Sequence, residues 1–389
     1  MFESPPVWMW ILGFLLVLGP LVTLHELGHY LVGRLFGVGA QAFSVGFGKE
    51  LAGWTDKRGT RWKLSALPLG GYVQFKGDMN PASVGHSQDE AEDATFGMGT
   101  EDALAEDDER AVKGAAFHHA SLWQRALIVA AGPVMNILIA IAIFFAFVMA
   151  FGRPVGAVPE VTAFAEESPA REAGMQVGDR IVAVGDRRLN DFRDLLMEVA
   201  PYPDTVLQVR IERDGTEQVL PIRTSGDIET DKYGNAGKVG RIGVMSANRV
   251  TREAVGPLVA VGLAMDECWR MTRLMVDGIV QIVTGKRSVK ELGGPVKIAK
   301  YSGEQLNEGW AAFVNFAALI SLNLAFINLL PIPALDGGHL AFYAAEAIRR
   351  KPASPRSMEL AYRTGIALVL ALMLFVTVND IASLPVFGG

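Results

Sequence analysis

The sequence predicts a polytopic α-helical membrane protein with four transmembrane helices, a cytoplasmic-side membrane-associated β-hairpin region and an inserted α+β domain. Three observations predict it. Half of the 389 residues are apolar and the mean hydropathy is +0.26, high for a water-soluble chain. Four stretches are long and apolar enough to cross a bilayer, which takes about 20 residues. Between the second and third lies a charged stretch that alternates like strands around turn glycines.

The segments follow in chain order. Residues 1–39 hold the first span. From Val7 to Leu24 there is no charged residue, and no Lys or Arg precedes Arg34. The basic start of a cleaved signal peptide is therefore missing, and the span reads as retained. Residues 40–77, with "RWKLSALPLGGYVQFK", have strand character and a Gly70-Gly71 break. Residues 78–118 include "SQDEAEDATFGMGTEDALAEDDER", which is acidic, poor in large apolar residues, and expected to be a flexible linker. Residues 119–152 carry the second span, "RALIVAAGPVMNILIAIAIFFAFVMAF", uncharged after Arg125.

Residues 153–247 read as a small folded domain. "SPAREAGMQVGDRIVAVGD" gives a short helix start, a turn and a strand, and "TVLQVRIERDG" with "EQVLPIRT" alternates as a hairpin around Asp214-Gly215. This stretch resembles a PDZ domain, a module that binds a peptide C-terminus or an extended strand at a sheet edge. In 248–310, Asp266, Glu267, Arg270, Arg273 and Asp277 argue against a fifth span and for amphipathic, interfacial helices. Residues 311–345 hold the third span, "AAFVNFAALISLNLAFINLLPIP", and 346–389 the fourth, over about 362–382.

Lys and Arg in the short flanks set the orientation. They cluster at 49–76 and 349–356 and are missing from 1–33 and 364–389. Both termini and the long 152–310 segment are therefore expected outside the cytoplasm. The net charge of −6 points to no nucleic-acid partner. The single cysteine, Cys268, excludes an internal disulfide and a cysteine-based metal site.

The chemistry lies in "TLHELGHYL", residues 23–31. His25 and His29 are four apart and share one helix face. With Glu26 they form H-E-x-x-H, the pattern of two zinc ligands and a carboxylate base. Ionisable groups at membrane depth are costly and usually functional. A catalytic zinc wants a third protein ligand and one open position. Asp336, in "NLLPIPALDGGH", is the better candidate. The first and third spans run in the same direction, so Asp336 arrives at the depth of the histidines. Pro331 and Pro333 break the third span just before it, and Gly337-Gly338 are expected to let the backbone turn. His339 is a possible competing ligand.

At this point the sequence resembles the site-2 protease family of intramembrane zinc metalloproteases. The stretches that carry the resemblance are "LHELGHYLVGRLFGV", "FSVGFGKEL", "LPLGGYVQF", "AAGPVMNILIA", "GGPVKIA" and "NLLPIPALDGGH". It implies that His25, His29 and Asp336 bind Zn²⁺ and that Glu26 is the catalytic base. It implies that Asn328 contacts substrate near the scissile bond, and that Gly70, Gly71, Tyr72 and Val73 belong to a hairpin that pairs with substrate as a strand. The implied substrates are single-span membrane proteins of the anti-sigma-factor type and remnant signal peptides, cut during regulated intramembrane proteolysis. The implied location is the bacterial inner membrane, with the PDZ-like domain periplasmic and the active site toward the cytoplasm. The best-known members carry two tandem PDZ domains, and this chain has room for one. Two other readings stand beside this one: a membrane zinc protease acting on soluble or misfolded chains, and a non-catalytic PDZ-bearing membrane scaffold.

Overall fold

The computed structural model describes residues 5–77, 112–155, 159–230, 236–246, 251–285, 289, 293–351 and 354–382. Most of the acidic segment expected to be a linker, 78–111, lies outside them. The chain divides into two compact units, one of residues 5–144, 267–275 and 281–389 and one of residues 145–266 and 276–280 with the N-terminal four.

The first unit starts with α1 (Val7–Leu35), 29 residues long. Its glycines are points of close approach. A Cβ at Gly13 would sit 2.7 Å from the Ser302 carbonyl carbon, and one at Gly28 would reach the Ala131 carbonyl oxygen. Small residues at such points let apolar helices pack without a hydrophobic drive between them.

Strands β1 (Ala40–Thr55) and β2 (Arg61–Phe75) pair antiparallel, and the hairpin is folded back on itself. Residues 42–45 lie opposite both 74–71 and 61–64, and 52–55 lie opposite 64–61. Four ribbons result, with 71–75 at an edge. The fold-back occurs at Gly46 and Gly48, at φ +92° and +86°, a region L side chains avoid. Phe43 and Phe75 are buried with Tyr30 of α1 and Ile128 of the next helix. Fully burying such a ring is worth about 1.5–3 kcal/mol, which fixes the hairpin against the helices.

Residues 112–119 belong to this unit rather than to a linker. Gly39 N–H donates to the Ala115 carbonyl and Ala115 N–H to the Gly37 carbonyl, and a 3₁₀ turn covers Phe117–His119. The second long helix, α2 (Leu122–Phe151), follows.

The inserted unit runs through β3 (Arg153–Val155), β4 (Ala163–Phe164), α3 (Pro169–Glu172), β5 (Arg180–Val184), β6 (Arg187–Arg188) and α4 (Phe192–Val199). It continues with β7 (Val206–Arg213), β8 (Thr216–Arg223), β9 (Ser225–Thr230), β10 (Ala236–Arg241), β11 (Val244–Met245) and β12 (Thr251–Glu253). Four strands form a sheet in the order β6-β5-β7-β8. Ser168 and Asp191 cap α3 and α4, each accepting a backbone N–H three residues on. Asp214 and Gly215, at φ +51° and +75°, turn the β7–β8 hairpin. The core gathers Val161, Ile181, Leu195, Val209, Ile211 and Ile222.

Of the remaining helices, α5 (Pro257–Val283) carries the five charges noted above. Helix α6 (Pro295–Glu308) packs on α1, and Asp380 closes its start by accepting from Gly294 and Lys297 N–H. Helix α7 (Trp310–Asn328) ends five residues before the end of the quoted apolar stretch at Pro333, because the residue before Pro331 is pushed out of helical conformation. After the break come α8 (Asp336–Arg349) and α9 (Pro355–Ala382). Helix α9 begins seven residues before the apolar stretch, in a turn braced by Glu359 and Arg363 at 2.7 Å. Among the described residues, four helices, α1, α2, α7 and α9, are long and apolar enough to cross a membrane.

In the inserted unit, Asp179 is almost fully buried and is held by Arg213 at 2.7 and 2.6 Å and by the Gln176 N–H. The Arg213 hydrogen bonds hold its carboxyl below the usual carboxylate range. A lowered folded value means the stabilisation is complete above the ordinary aspartate range and fades as pH falls through the lowered value. Asp179→Asn is therefore expected to speed hydrogen exchange in β5 and β7 at neutral pH. The difference from wild type should shrink as the pH falls through the lowered carboxyl value; an equal difference at all pH values would contradict the assignment.

Candidate active site

Helix α1 presents His25 and His29 on one face, both buried, at 6% and 8% exposure. Their Nε2 atoms are 3.2 Å apart. The Asp336 Oδ2 atom lies 3.2 Å from His25 Nε2 and 3.6 Å from His29 Nε2. It has no properly aligned hydrogen-bond partner among the described residues. These three side chains form the one metal-capable cluster among the described residues.

The spacing matches zinc. A tetrahedral ion with bonds of about 2.0–2.1 Å separates its ligand atoms by about 3.3–3.4 Å. The three observed separations bracket that edge. Two nitrogens and a carboxylate oxygen converging on one point suit a shared cation, and the donor set suits zinc. The residues present therefore fit the ion.

Each ligand is positioned by local chain chemistry. His29 Nδ1 lies 2.8 Å from the Ile128 carbonyl oxygen of α2, an acceptor that leaves the Nε2 lone pair facing the cluster. Gly132 of α2 leaves the room. A Cβ there would overlap His29 Nε2 and come within 2.7 Å of His25 Nε2. Asp336 opens α8, where the N-terminal dipole favours a carboxylate.

The glycines after Asp336 do something other than turn the chain. Neither has a positive φ, and the left-handed residue is Ala334, at φ +85°. Cβ atoms at Gly337 and Gly338 would overlap the carbonyls of Leu329, Leu330 and Ile332. The glycines let α8 start tight against the Pro331–Pro333 turn. Gly365 of α9 makes the same allowance against the Pro333 carbonyl.

The cluster lines a cavity of about 790 Å³. Glu26 lines it too, and its Oε2 accepts the Val73 N–H at 3.2 Å. The arrangement offers a metal position, a neighbouring carboxylate and a strand edge in one enclosure.

The profile of peptidase family M50 matches residues 13–372. Two proteins named "Putative zinc metalloprotease", from Rhizobium meliloti and Agrobacterium fabrum, are 42% and 41% identical over 371 and 378 residues. The matches cover 95% of both chains in the first case and 96% of both in the second. The Caulobacter vibrioides protein "Metalloprotease MmpA" is 35% identical over 393 residues, covering 97% of this chain and 96% of its own. The chain belongs to peptidase family M50. Among solved structures, the PDZ domain of the SdrC-like protein of Listeria monocytogenes covers 23% of this chain and 85% of its own, at 15% identity and a TM-score of 0.18. That likeness is too slight to assign a fold.

In this M50 peptidase, Gly71, Tyr72, Val73 and Asn328 line the same cavity as His25, Glu26, His29 and Asp336. Gly70 lies beside it, where a Cβ would meet the Phe47 ring. His339 also lines the cavity but is turned to the Tyr362 hydroxyl, at 2.6 and 3.0 Å, and stands outside the metal-capable cluster. Sequence reasoning passed over Asn136, Gly132 and Tyr362. Of these only Asn136 left a signal, as the one polar side chain of α2 after Arg125.

Gly132→Ala is expected to reduce bound zinc in the purified peptidase from about one ion per chain to a small fraction, measured by atomic emission. Full zinc loading in that variant would contradict the packing described.

Proposed function

We propose that this M50 peptidase is an intramembrane endopeptidase that cuts single-span membrane proteins toward the cytoplasmic side of the bilayer. The enzyme is a zinc metalloprotease. The observation that carries the finer reading is the convergence of His25, His29, Asp336 and Glu26 in one cavity bounded by helices apolar enough to cross a membrane.

On this reading His25, His29 and Asp336 hold the zinc, which supplies Lewis-acid activation of water and of the scissile carbonyl. Glu26 accepts the proton of the attacking water and delivers it to the leaving peptide nitrogen. The Val73 N–H holds one oxygen of that carboxylate, and Glu26 lines the cavity. Gly70 to Val73 offer a strand edge. A helical peptide bond is shielded by its own hydrogen bonds, and pairing the substrate with such an edge draws it into extended form. Asn328, at the end of α7, hydrogen-bonds the substrate backbone near the scissile bond.

The Lys and Arg flanks support an inner-membrane location, with the inserted unit periplasmic and the cavity toward the cytoplasm. The inserted unit is assigned a PDZ-like role, taking a free peptide C-terminus or an extended strand. Anti-sigma factors and remnant signal peptides fit the substrate class.

Glu26→Gln is expected to lower cleavage of a single-span test substrate by about 10²–10⁴-fold while zinc remains bound. Wild type should cut the single-span substrate in preference to an unfolded soluble protein such as casein. Full activity of the variant, or preference for the soluble chain, would overturn the proposal.

A further inference from the structure

Asn136 sits in the middle of α2 and is completely buried, at 0% exposure. A carboxamide among apolar side chains is costly unless its polar atoms are paired. Here one end is paired and the other is not. Nδ2 lies 3.2 Å from His25 Nδ1, while Oδ1 has no partner among the described residues. The Asn136 backbone is itself fixed, because its carbonyl accepts the Ser321 hydroxyl of α7 at 2.8 Å.

The two ends of a carboxamide are nearly the same size, so their assignment follows the hydrogen-bond network. With Nδ2 toward the ring, the imidazole accepts at Nδ1 and must carry its proton at Nε2. That proton would point at His29 Nε2 and Asp336 Oδ2. Exchanging the ends places Oδ1 against His25 Nδ1–H and moves Nδ2 to the place that Oδ1 held. It also bares the His25 Nε2 lone pair toward Asp336. The exchange costs no movement of the chain.

The neighbouring histidine shows the same device. His29 Nδ1 meets the Ile128 carbonyl of α2. Ile128, Gly132 and Asn136 are each four apart and lie on one face of α2, as His25 and His29 do on α1. The helices run antiparallel, so Ile128 serves His29 and Asn136 serves His25, with Gly132 leaving room between them. Ligand histidines commonly give their second N–H to a fixed acceptor, and one helix face supplies both acceptors.

We infer that Asn136 is the positioning residue of His25: its carboxamide oxygen accepts the Nδ1–H and holds the ring with Nε2 free to bind zinc. The inference rests on the metal site proposed above. It goes beyond that site by assigning to α2 a direct part in metal affinity.

The test is competition for Zn²⁺ between a chromophoric chelator and the purified full-length protein in detergent. Asn136→Leu keeps the volume and removes the acceptor, and should weaken zinc binding by about 10–100-fold. Asn136→Asp keeps an acceptor oxygen and should stay within a few-fold of wild type. Asn136→Ala repeats the deletion if the leucine variant fails to fold. Wild-type affinity in the leucine or alanine variant overturns the inference, as does an aspartate variant as weak as leucine. His25→Ala separates the two levels. If it loses zinc while Asn136→Leu keeps it, only this inference fails; if His25→Ala binds zinc like wild type, the metal site fails with it.

Discussion

The structure depends on bringing three ionisable side chains, His25, His29 and Asp336, to one point between apolar helices. Each would be costly alone in such a place. On the proposed reading they are tolerable together because a cation fills the position their ligand atoms share. Much of the surrounding sequence can be understood as serving that meeting. Gly28 and Gly132 let α1 and α2 approach until backbone meets side chain. The broken segment 329–335 ends α7 early so that Asp336 can open a new helix beside the imidazoles. Gly337, Gly338 and Gly365 allow that break to be tightly packed.

The hairpin adds the second half of the chemistry. Its folded-back ribbons put residues 71–75 at an edge, and that edge meets the proposed catalytic base through the hydrogen bond from Val73 N–H to Glu26. A strand edge at a helix-lined cavity is unusual at membrane depth, where irregular backbone needs protein or a water-lined cavity around it. The hairpin has protein around it, because Phe43 and Phe75 anchor it against α1 and α2. The proposed base and the proposed substrate edge are thus held in fixed register, so a peptide pairing with β2 lies beside Glu26.

Much of this was legible in the sequence, for physical reasons. Lipid demands unbroken apolar runs, so the four long helices stand out. A charged triad at the end of such a run has few structural excuses, which made His25, Glu26 and His29 visible. The meeting with Asp336 is legible from the parity of the spans alone. Other features depend on contacts between distant segments. The hairpin's doubled pairing, with Gly46 and Gly48 as its bends, has no local signature beyond glycine itself. Residues 112–119 look like the end of an acidic linker, yet they pair with the chain after α1. Gly337-Gly338 read as a turn, but their use is clearance. Helix ends were displaced where hydropathy and backbone chemistry disagree, at Pro331 and around Glu359. The pairing of Asn136 with His25 could not be read from spacing, because it joins residues 111 apart.

The central claim is that Asp336, distant in sequence, shares a metal ion with the imidazole pair. X-ray absorption at the zinc edge of purified Asp336→Cys protein tests it most directly. The account predicts a sulfur scatterer at about 2.3 Å beside two imidazoles. A loaded variant whose zinc shows nitrogen and oxygen donors alone would contradict it.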